Sequence, residues 1–221
     1  MSESGLPEAT PPCPLCREAV NLRPFPGQDQ RRYQLCLNCK LISVLPADRT
    51  DAQEEQHRYK THNNGPEFEG HVRFLMNAIE PALPYLKPGS RGLDYGCGHV
   101  PTLSVLLNRR GFDCLDYDLY FFPELPAGPF DFIFSTETFE HFGEPAADIS
   151  RIAALLRPGG ILTVMTLFWQ SEEMFLKHFY FRDTTHFVFY HEDTMQWIAK
   201  TYGLELLFSD AYRVMVFRKK G

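Results

Sequence analysis

Apolar residues recur at steps of three and four over residues 66–86, and this spacing predicts an amphipathic helix. The repeat comprises Phe68, Val72, Leu75, Ile79, Leu83 and Leu86. Pro88 and Gly89 follow it and are typical of the end of a helix. Further helical patterns are predicted at residues 101–110, 146–156, 174–180 and 192–202.

Short apolar runs lie between these helical segments and predict β-strands. The predicted strands are residues 91–98 (including a glycine turn), 112–117, 130–134, 161–166, 204–208 and 212–217. Strands that alternate with helices form a parallel sheet with helices on both faces, which is a doubly wound α/β fold. The last two runs are joined by a turn at Ser209 and Asp210, so they add an antiparallel hairpin at the C-terminal edge of a mostly parallel sheet.

The beginning of the chain has a different composition, because residues 1–48 are rich in proline and polar groups. Such a segment can hardly build a core of its own. The whole chain of 221 residues is 44% hydrophobic, which is ample for one packed domain. We therefore predict three segments: a small metal-stabilised ribbon at 1–48, a linker at 49–65 that could cover a cofactor, and an α/β domain at 66–221.

The net charge of the chain limits the classes of partner that it could bind. The chain carries 22 Lys and Arg against 28 Asp and Glu, a net charge of −6, which argues against broad electrostatic binding to nucleic acid or to an anionic membrane. No stretch approaches the 18 apolar residues of a membrane span, and the first residues lack the basic and apolar regions of a secretory signal. We expect a cytoplasmic protein, and the sequence leaves its oligomeric state open.

Four of the six cysteines form two CxxC pairs, which indicate a metal site. The pairs are Cys13 with Cys16 and Cys36 with Cys39. Two CxxC pairs at this separation match a zinc ribbon, in which four thiolates close a tetrahedral structural site. The alternatives are a redox role for the pairs or a chance arrangement. We predict one structural zinc ion, which would supply much of the folding energy of the ribbon.

A glycine turn follows the first predicted strand of the α/β domain, at Gly96 and Gly98. In a doubly wound sheet, ligands bind beyond the carboxyl ends of the strands, where glycine lets a ligand approach the backbone. Asp118 ends the next strand and could accept hydrogen bonds from ribose hydroxyls. A simple tight turn is the alternative. A dehydrogenase would need a third glycine, and Val100 and Pro101 stand in that region.

Five motifs in register resemble those of class I S-adenosylmethionine-dependent methyltransferases. They are Leu93–Gly98, Tyr117–Asp118, the run starting at Phe130, Glu140–His141 and the run from Leu155 to Gly160. The resemblance covers residues 66–221 and implies that S-adenosylmethionine is the cofactor. It departs from the family at Val100, where the third glycine is expected, and the short chain between Asp118 and Phe130 could reduce one strand to a loop.

The resemblance also implies roles for individual residues. Those that would contact the methionine and sugar parts of the cofactor are Asp94, Gly96, Cys97 and Gly98. Asp118 would hold the ribose and Leu119 would lie against the adenine. A ribbon in front of this domain resembles a group of bacterial methyltransferases, some of which act on sugars at carbon. Tyr59, His62 and Asn63 could fold over the cofactor or form a surface linker.

Carboxylates and histidines follow the strand at 130–134 and mark the predicted reacting end. Glu137, Glu140 and His141 would share one face of a helix, and His186 would reach them from a later loop. The pattern resembles metal-assisted O-methyltransferases of ubiquinone synthesis and of small-RNA 3′ ends. It implies a second divalent metal site at these four residues. The alternative is a catalytic role without metal for Glu140, His141 and His186, with either histidine as a general base.

The methyl acceptor is the least determined part of the prediction. We expect a small hydroxylated metabolite that is methylated on oxygen, because the α/β domain carries the net negative charge. Methylation of a carbon atom on a sugar-like acceptor is the alternative, with an RNA end or a protein side chain third. A non-catalytic module that senses the cofactor is also open. The aromatic residues between Phe168 and Phe181 suit a flat acceptor or plain core packing.

Overall fold

The computed structural model describes residues 11–61 and 64–221. Residues 1–10 of the predicted ribbon segment lie outside the described residues, and so do His62 and Asn63 of the predicted covering segment. The helices are α1 (Ala52–Lys60), α2 (Glu69–Ala82), α3 (Thr102–Asn108), α4 (Pro145–Leu155), α5 (Glu172–Lys177) and α6 (Glu192–Thr201). Short 3₁₀ turns include Leu83–Tyr85, Phe139–His141 and Phe179–Arg182.

Ten strands form two sheets within the described part of the chain. The strands are β1 (Leu22–Phe25), β2 (Tyr33–Cys36), β3 (Ile42–Val44), β4 (Arg91–Tyr95), β5 (Asp113–Tyr117), β6 (Phe130–Thr136), β7 (Leu156–Met165), β8 (Val188–Phe189), β9 (Leu204–Ser209) and β10 (Val214–Lys219). The larger sheet has the order β5-β4-β6-β7-β10-β9. Its first four strands are parallel, and β10 and β9 pair antiparallel at the edge. This arrangement confirms the predicted fold class.

Helices cover both faces of the larger sheet, because each presents one apolar stripe to it. The stripe of α2 consists of Leu75, Ala78, Ile79 and Ala82, which pack with α3 against Phe132 and Phe134. On the other face, α4 and α6 pack against Ile133 and Leu162. Burial of each large apolar side chain contributes about 1.5–3 kcal/mol, so the two clusters provide most of the stability of the sheet.

The loop between β5 and β6 contains no further strand of the sheet, as the short sequence there indicated. Its pairing is limited to an isolated bridge between Asp118 and Phe122. The loop passes instead beside the carboxyl ends of the strands. A ligand at that edge is therefore bordered by a loop and not by an additional strand.

The structure corrects several predicted element boundaries. Pairing of β7 begins at Leu156 and not at Ile161, and the register jumps from Leu156 to Ile161 because the glycine-containing stretch between them bulges out. The final hairpin has a four-residue loop at 210–213 in place of the predicted two-residue turn. The Asp210 carboxylate accepts hydrogen bonds from the backbone N–H groups of Tyr212, Arg213 and Val214, which stabilises the longer loop.

The smaller sheet crosses the predicted boundary between the ribbon and the α/β domain. Its order is β1-β2-β3-β8, so three strands come from the ribbon segment and the fourth comes from the chain after β7. Ser43 of β3 pairs with Val188 of β8. Most of the aromatic residues between Phe168 and Phe181 belong to the core beneath this sheet, including Phe175 and Phe181, so core packing accounts for them better than acceptor binding. The ribbon is therefore built into the fold.

Within residues 11–61 and 64–221, no helix combines the length and the apolar character that crossing a lipid bilayer requires.

Candidate active site

A cavity of about 560 Å³ opens at the carboxyl ends of β4, β5 and β6. Its lining includes both groups of candidate site residues from the sequence, those predicted to bind the cofactor and those at the predicted reacting end. The first group is Asp94, Gly96, Cys97, Gly98, Asp118 and Leu119; the second is Glu137, Glu140, His141 and His186. A ligand that spans this cavity would contact the glycine turn at one end and the carboxylate and histidine groups at the other.

The glycine turn after β4 is shaped by Gly96. This residue has φ +90°, and a β-carbon added to it would lie 2.2 Å from the methyl carbon of Thr138. Both the backbone conformation and the close approach of Thr138 therefore require glycine. Gly98 also has a positive φ, and its N–H donates to an Asp118 carboxylate oxygen at 3.0 Å. This hydrogen bond holds the turn against the end of β5.

Asp118 is anchored by backbone groups and remains half-buried at the cavity wall. One carboxylate oxygen accepts the hydrogen bond from Gly98. The other accepts hydrogen bonds from the N–H groups of Tyr120 at 2.9 Å and Phe121 at 3.2 Å. Leu119 is 67% exposed at the rim of the cavity. The Cys97 thiol is kept neutral, because burial and the nearby Asp94 raise its pKa.

Asp94 offers an unused acceptor at the base of the turn. The side chain is buried, and its Oδ1 atom has no hydrogen-bond partner in the described structure. Burial raises the pKa of Asp94, and the charges of Asp116 and Asp118 raise it further. A buried acceptor without a donor destabilises the protein, so the site fits a ligand that brings donors or positive charge.

Helix α1 lies across the cavity and forms part of its wall. Asp51 caps the helix by accepting from the N–H groups of Gln53 and Glu54. The buried Glu55 carboxylate accepts hydrogen bonds from the hydroxyls of Tyr59 at 3.0 Å and Tyr120 at 2.7 Å. Tyr59 was a candidate covering residue in the sequence, whereas no motif marked Glu55 or Tyr120.

Three of the four predicted reacting residues lie together. One ligand atom from each of Glu140, His141 and His186 lies within 4.8 Å of the others. Glu140 and His141 are on the 3₁₀ turn that follows β6, and His186 belongs to the segment that leads into β8. The imidazole rings of the two histidines meet edge to face, with centroids 4.8 Å apart. We refer to these three residues as the EHH cluster.

Backbone carbonyls orient both histidine rings. The Nδ1 atom of His141 lies 2.8 Å from the carbonyl oxygen of Thr185, and that of His186 lies 2.8 Å from the carbonyl oxygen of Tyr180. A carbonyl only accepts, so each Nδ1 carries a proton, and in the neutral form of each ring the lone pair lies on Nε2. Burial, with the neighbouring His141, lowers the pKa of His186 and keeps it neutral.

Glu140 contributes an acceptor oxygen of the same kind. Its Oε2 atom accepts a hydrogen bond from the hydroxyl of Thr166 at 2.8 Å, and the Tyr180 hydroxyl lies 2.9 Å from that of Thr166. Its buried Oε1 atom has no partner in the described structure. The EHH cluster therefore presents acceptors without donors, which suits either an incoming hydroxyl group or a divalent cation.

Glu137 departs from the predicted arrangement. It does not share a helix face with Glu140, because the segment turns at Glu137, whose φ is +50°, before the short 3₁₀ turn begins. Its carboxylate instead forms an ion pair with Arg213 at 3.0 Å. Burial and the charge of Glu140 raise the pKa of Glu137 to about 8. Glu137 lines the cavity but lies outside the EHH cluster.

The four paired cysteines lie together outside this cavity. The sulfur atoms are 3.6 Å apart for Cys13 and Cys39 and 3.5 Å apart for Cys16 and Cys36, and all four lie within 4.8 Å of one another. These distances are too long for a disulfide and fit a tetrahedral zinc site, whose 2.3 Å bonds place the sulfurs about 3.8 Å apart. The hydrogen bond between Cys13 and Cys39 lowers the pKa of Cys13 to about 6 and raises that of Cys39, so Cys13 is the first of the pair to become a thiolate.

The chain resembles methyltransferases in sequence and in fold. The family described as Methyltransferase domain matches residues 68–208. The fold is similar to that of magnesium protoporphyrin IX methyltransferase from Synechocystis PCC 6803 with bound SAH, with 17% identity, a TM-score of 0.52, and coverage of 77% of this chain and 95% of that chain. No curated protein sequence matches.

A second solved structure has the same fold over more of the chain. It is the Burkholderia thailandensis 1,6-didemethyltoxoflavin-N1-methyltransferase with bound 1,6-didemethyltoxoflavin and S-adenosylhomocysteine. The identity is 16%, the TM-score is 0.51, and the match covers 90% of this chain and 100% of that chain. At these identities the two structures support the fold alone.

Proposed function

This chain belongs to the methyltransferase domain family as an S-adenosylmethionine-dependent enzyme, and from that premise we propose that it methylates a hydroxyl oxygen of a small metabolite. The observation that carries the proposal is the EHH cluster, which holds unpartnered acceptor atoms in the same cavity as the glycine turn. A hydroxyl acceptor must lose its proton as it is methylated, and these atoms can accept it.

The cofactor end of the cavity fits S-adenosylmethionine through residues that hold its polar groups. When bound, the cofactor supplies a methyl group activated by its sulfonium. The free Oδ1 of Asp94 would accept a hydrogen bond from the cofactor, and Gly98, which has open space beside its α-carbon, would leave room for the cofactor next to the backbone. Asp118 would bind the ribose on the outer side of the turn, since its carboxylate is already oriented by backbone N–H groups.

At the reacting end, the residues of the chain orient the acceptor and remove its proton. The Nε2 lone pair of His141 or His186 accepts the hydroxyl proton, and the Glu140 carboxylate stabilises the imidazolium that results. Tyr59 packs edge to face on the His141 ring, with centroids 5.0 Å apart, and limits access of water. The same cluster fits a divalent cation, which would bind at Glu140, His141 and His186 and lower the pKa of the hydroxyl.

The charges around the cavity favour an acceptor without negative charge. The carboxylates in its lining are Glu55, Asp94, Asp118, Glu137, Glu140 and Asp148. Among the lining residues that the structure describes, Arg151 is the one Lys or Arg side chain, and it pairs with Asp148. A phosphate or carboxylate on the acceptor would therefore find no unpaired Lys or Arg among these lining residues, whereas a neutral hydroxylated molecule needs none.

We also propose that the cysteine cluster holds one structural zinc ion. The sulfur distances support it, and the site is closed by four thiolates and lies apart from the cavity. Elemental analysis of protein purified without chelators should find about one zinc per chain. Protein that folds without any bound metal would contradict the zinc proposal and leave the methyl transfer proposal unaffected.

The test of function uses methyl-labelled S-adenosylmethionine with a fractionated metabolite extract as the source of acceptors. One fraction should accept label on oxygen, and His186→Ala should lower turnover about 100-fold or more. The matched control is His57→Ala, because His57 is exposed on α1 and lies outside the cavity lining. S-adenosylhomocysteine binding, measured by calorimetry, should persist in His186→Ala and be weakened in Asp118→Ala.

The other outcomes discriminate between the alternatives. Label on carbon would replace O-methylation by C-methylation, and cofactor binding without any labelled product would support a sensing module. Loss of turnover after treatment with a chelator, restored by added divalent ion with zinc content unchanged, would assign the EHH cluster to a metal. Turnover that is indifferent to chelators would leave His141 or His186 as a simple base. Absence of any cofactor binding would refute the proposed function.

A further inference from the structure

The segment that carries His186 is held from outside by a single ribbon side chain. We call residues 181–186 the His186 segment. Arg31 lies in the ribbon, between β1 and β2, and its side chain is only 9% exposed. Its guanidinium donates to three carbonyl oxygens of this segment: His186 at 3.0 Å, Thr184 at 3.2 Å and Phe181 at 3.4 Å.

Two neighbouring ribbon residues, Asp29 and Tyr33, fix the position of the Arg31 side chain. Its Nε atom donates to the Asp29 carboxylate at 2.9 Å, and the same carboxylate accepts from the Tyr33 hydroxyl at 2.9 Å. The guanidinium also lies over the Tyr33 ring, 5.4 Å from its centroid. A planar fork held at its base in this way presents its remaining N–H groups in one fixed direction.

The backbone that Arg31 contacts also holds both histidines of the EHH cluster. The His186 backbone is bonded to Arg31 through its carbonyl and to Asp183 through its N–H, while its ring is held by the Tyr180 carbonyl. The same short segment supplies the Thr185 carbonyl that fixes the His141 ring. A shift of this backbone would therefore disturb both histidines at once.

We propose that Arg31 is a positioning residue for the methyl transfer reaction, which makes the ribbon a scaffold for the reacting end of the cavity. Arg31 does not line the cavity, so it acts through the backbone of the His186 segment. Without it, the carbonyl oxygens of His186 and Phe181 would lose their donor, and that of Thr184 would keep only the Thr50 hydroxyl at 3.3 Å. The His186 segment would then sample other conformations. The glycine turn after β4 makes no hydrogen bond with the Arg31 side chain and would keep its geometry.

Arg23 provides a matched control. Like Arg31, it is a ribbon arginine that lies over an aromatic ring, with its guanidinium 5.3 Å from the centroid of Phe25. It also has an acidic partner, Glu172, at 3.9 Å. Its contacts are with β1 and α5, so Arg23→Ala removes a ribbon arginine, one whose side chain is 46% exposed, without touching the His186 segment.

The first measurement does not depend on the proposed function. Hydrogen–deuterium exchange of the full-length zinc-loaded protein should be faster at the amides of His186 and Phe187 in Arg31→Ala, by tenfold or more, and unchanged there in Arg23→Ala. Zinc content and S-adenosylhomocysteine affinity should stay within twofold of the native values in both variants. Unchanged exchange at these two amides in Arg31→Ala would overturn the proposal.

The second measurement rests on the proposed function and uses the acceptor fraction that supports turnover. Arg31→Ala should lower kcat at least tenfold, and should have little further effect in a His186→Ala background, because the two changes act through one group. A purely structural role would lower turnover equally in both backgrounds, and that result would overturn the proposal. If no fraction is methylated, the proposed function fails while the exchange experiment still decides the role of Arg31.

A second variant covers the case in which Arg31→Ala does not fold. Arg31→Lys keeps the charge opposite Asp29 but cannot present a planar fork to three carbonyls. We expect it to retain zinc and S-adenosylhomocysteine binding and to show the same faster exchange at the His186 segment. Native exchange and native turnover in Arg31→Lys would show that charge alone suffices, and would contradict positioning by the guanidinium geometry.

Discussion

Asp94 illustrates how a single residue can serve a ligand at the expense of the fold. Its carboxylate is buried beside two other aspartates, and one of its oxygens has no partner. Such a group is retained by a protein when it receives a ligand, and residues of this kind are where stability and activity oppose each other. The same reasoning applies to the unpartnered Oε1 atom of Glu140.

We expect Asp94→Asn to stabilise the ligand-free protein at neutral pH. Burial and the neighbouring carboxylates raise the folded-state pKa of Asp94, so its contribution to stability is full below about pH 4 and is lost as the pH rises through that pKa. The amide has no such loss, so the melting temperature should rise at pH 7, by about 2–4 °C for each kcal/mol gained. S-adenosylhomocysteine affinity should fall roughly tenfold or more.

Melting curves between pH 4 and pH 8 check this prediction. The control is Asp113→Asn, at the other end of the adjacent strand, where the carboxylate is 64% exposed and its loss should change stability by no more than about 0.5 kcal/mol. A melting temperature of Asp94→Asn that falls in parallel with the native protein over this pH range would contradict the assignment.

At the scale of elements, the turn after β4 combines two demands on one glycine. We expect Gly96→Ala to cost more stability than Gly89→Ala, although both residues have positive φ. Gly89 has φ +74° and open space around its α-carbon, so alanine there costs about 1–2 kcal/mol from the backbone alone. At Gly96 the added methyl group also meets Thr138, which should displace the turn.

Chemical denaturation and calorimetry with S-adenosylhomocysteine measure the two effects of the glycine substitutions. Gly89→Ala should bind S-adenosylhomocysteine with native affinity, and Gly96→Ala should show no detectable binding of it. Equal stabilities and equal affinities for the two variants would mean that Thr138 moves aside and that the close approach is not a constraint.

The elements that sequence patterns predict well are those long enough to show a hydrophobic pattern of their own. Helix α2 and strands β4 and β6 follow from such local patterns, although their packing partners lie far away in the chain. Strand β8 could not be predicted, since its two residues become a strand by pairing with β3. The bulge in β7 likewise depends on the register with β6.

The candidate site likewise contains residues that the sequence predicts and residues that it does not. The residues of the glycine turn and the EHH cluster carry recognisable spacing, so their proximity could be predicted from strand order. Glu55, Tyr120 and Arg31 have no local signal, because each contributes through a partner that is distant in sequence. The spacing of Glu137 places it with the EHH cluster only if residues 137–141 form a regular helix, and the positive φ at Glu137 prevents that helix.

At the scale of the whole molecule, the ribbon and the α/β domain share one core. Cys13 and Cys39 belong to the same buried cluster as Ile133 and Leu162 of the larger sheet. The Trp169 indole N–H donates to the carbonyl of Lys40 at 3.1 Å, which adds a polar link between the two parts. We therefore expect the described molecule to unfold as one cooperative unit and not as two domains.

The variant Cys36→Ser tests whether the ribbon and the α/β domain unfold together. The variant should lose its zinc, and calorimetry should show one transition shifted down by at least about 5 °C, because metal binding is coupled to folding. Cys97→Ser, which changes a cysteine outside the cluster, should keep its zinc. Two transitions, with the larger one unchanged in Cys36→Ser, would show that the ribbon is an independent domain.

The pairing of Ser43 with Val188 also has a consequence during protein synthesis. At 5–20 residues per second, a ribosome takes on the order of ten seconds to add the residues between them. Throughout that interval the nascent chain presents an open strand edge at β3, and open edges promote aggregation. The four paired cysteines all precede this interval, so the proposed zinc ion could fold the ribbon before β8 has been synthesised. Cells short of zinc should therefore lose this protein as insoluble nascent chains, before any enzyme has formed.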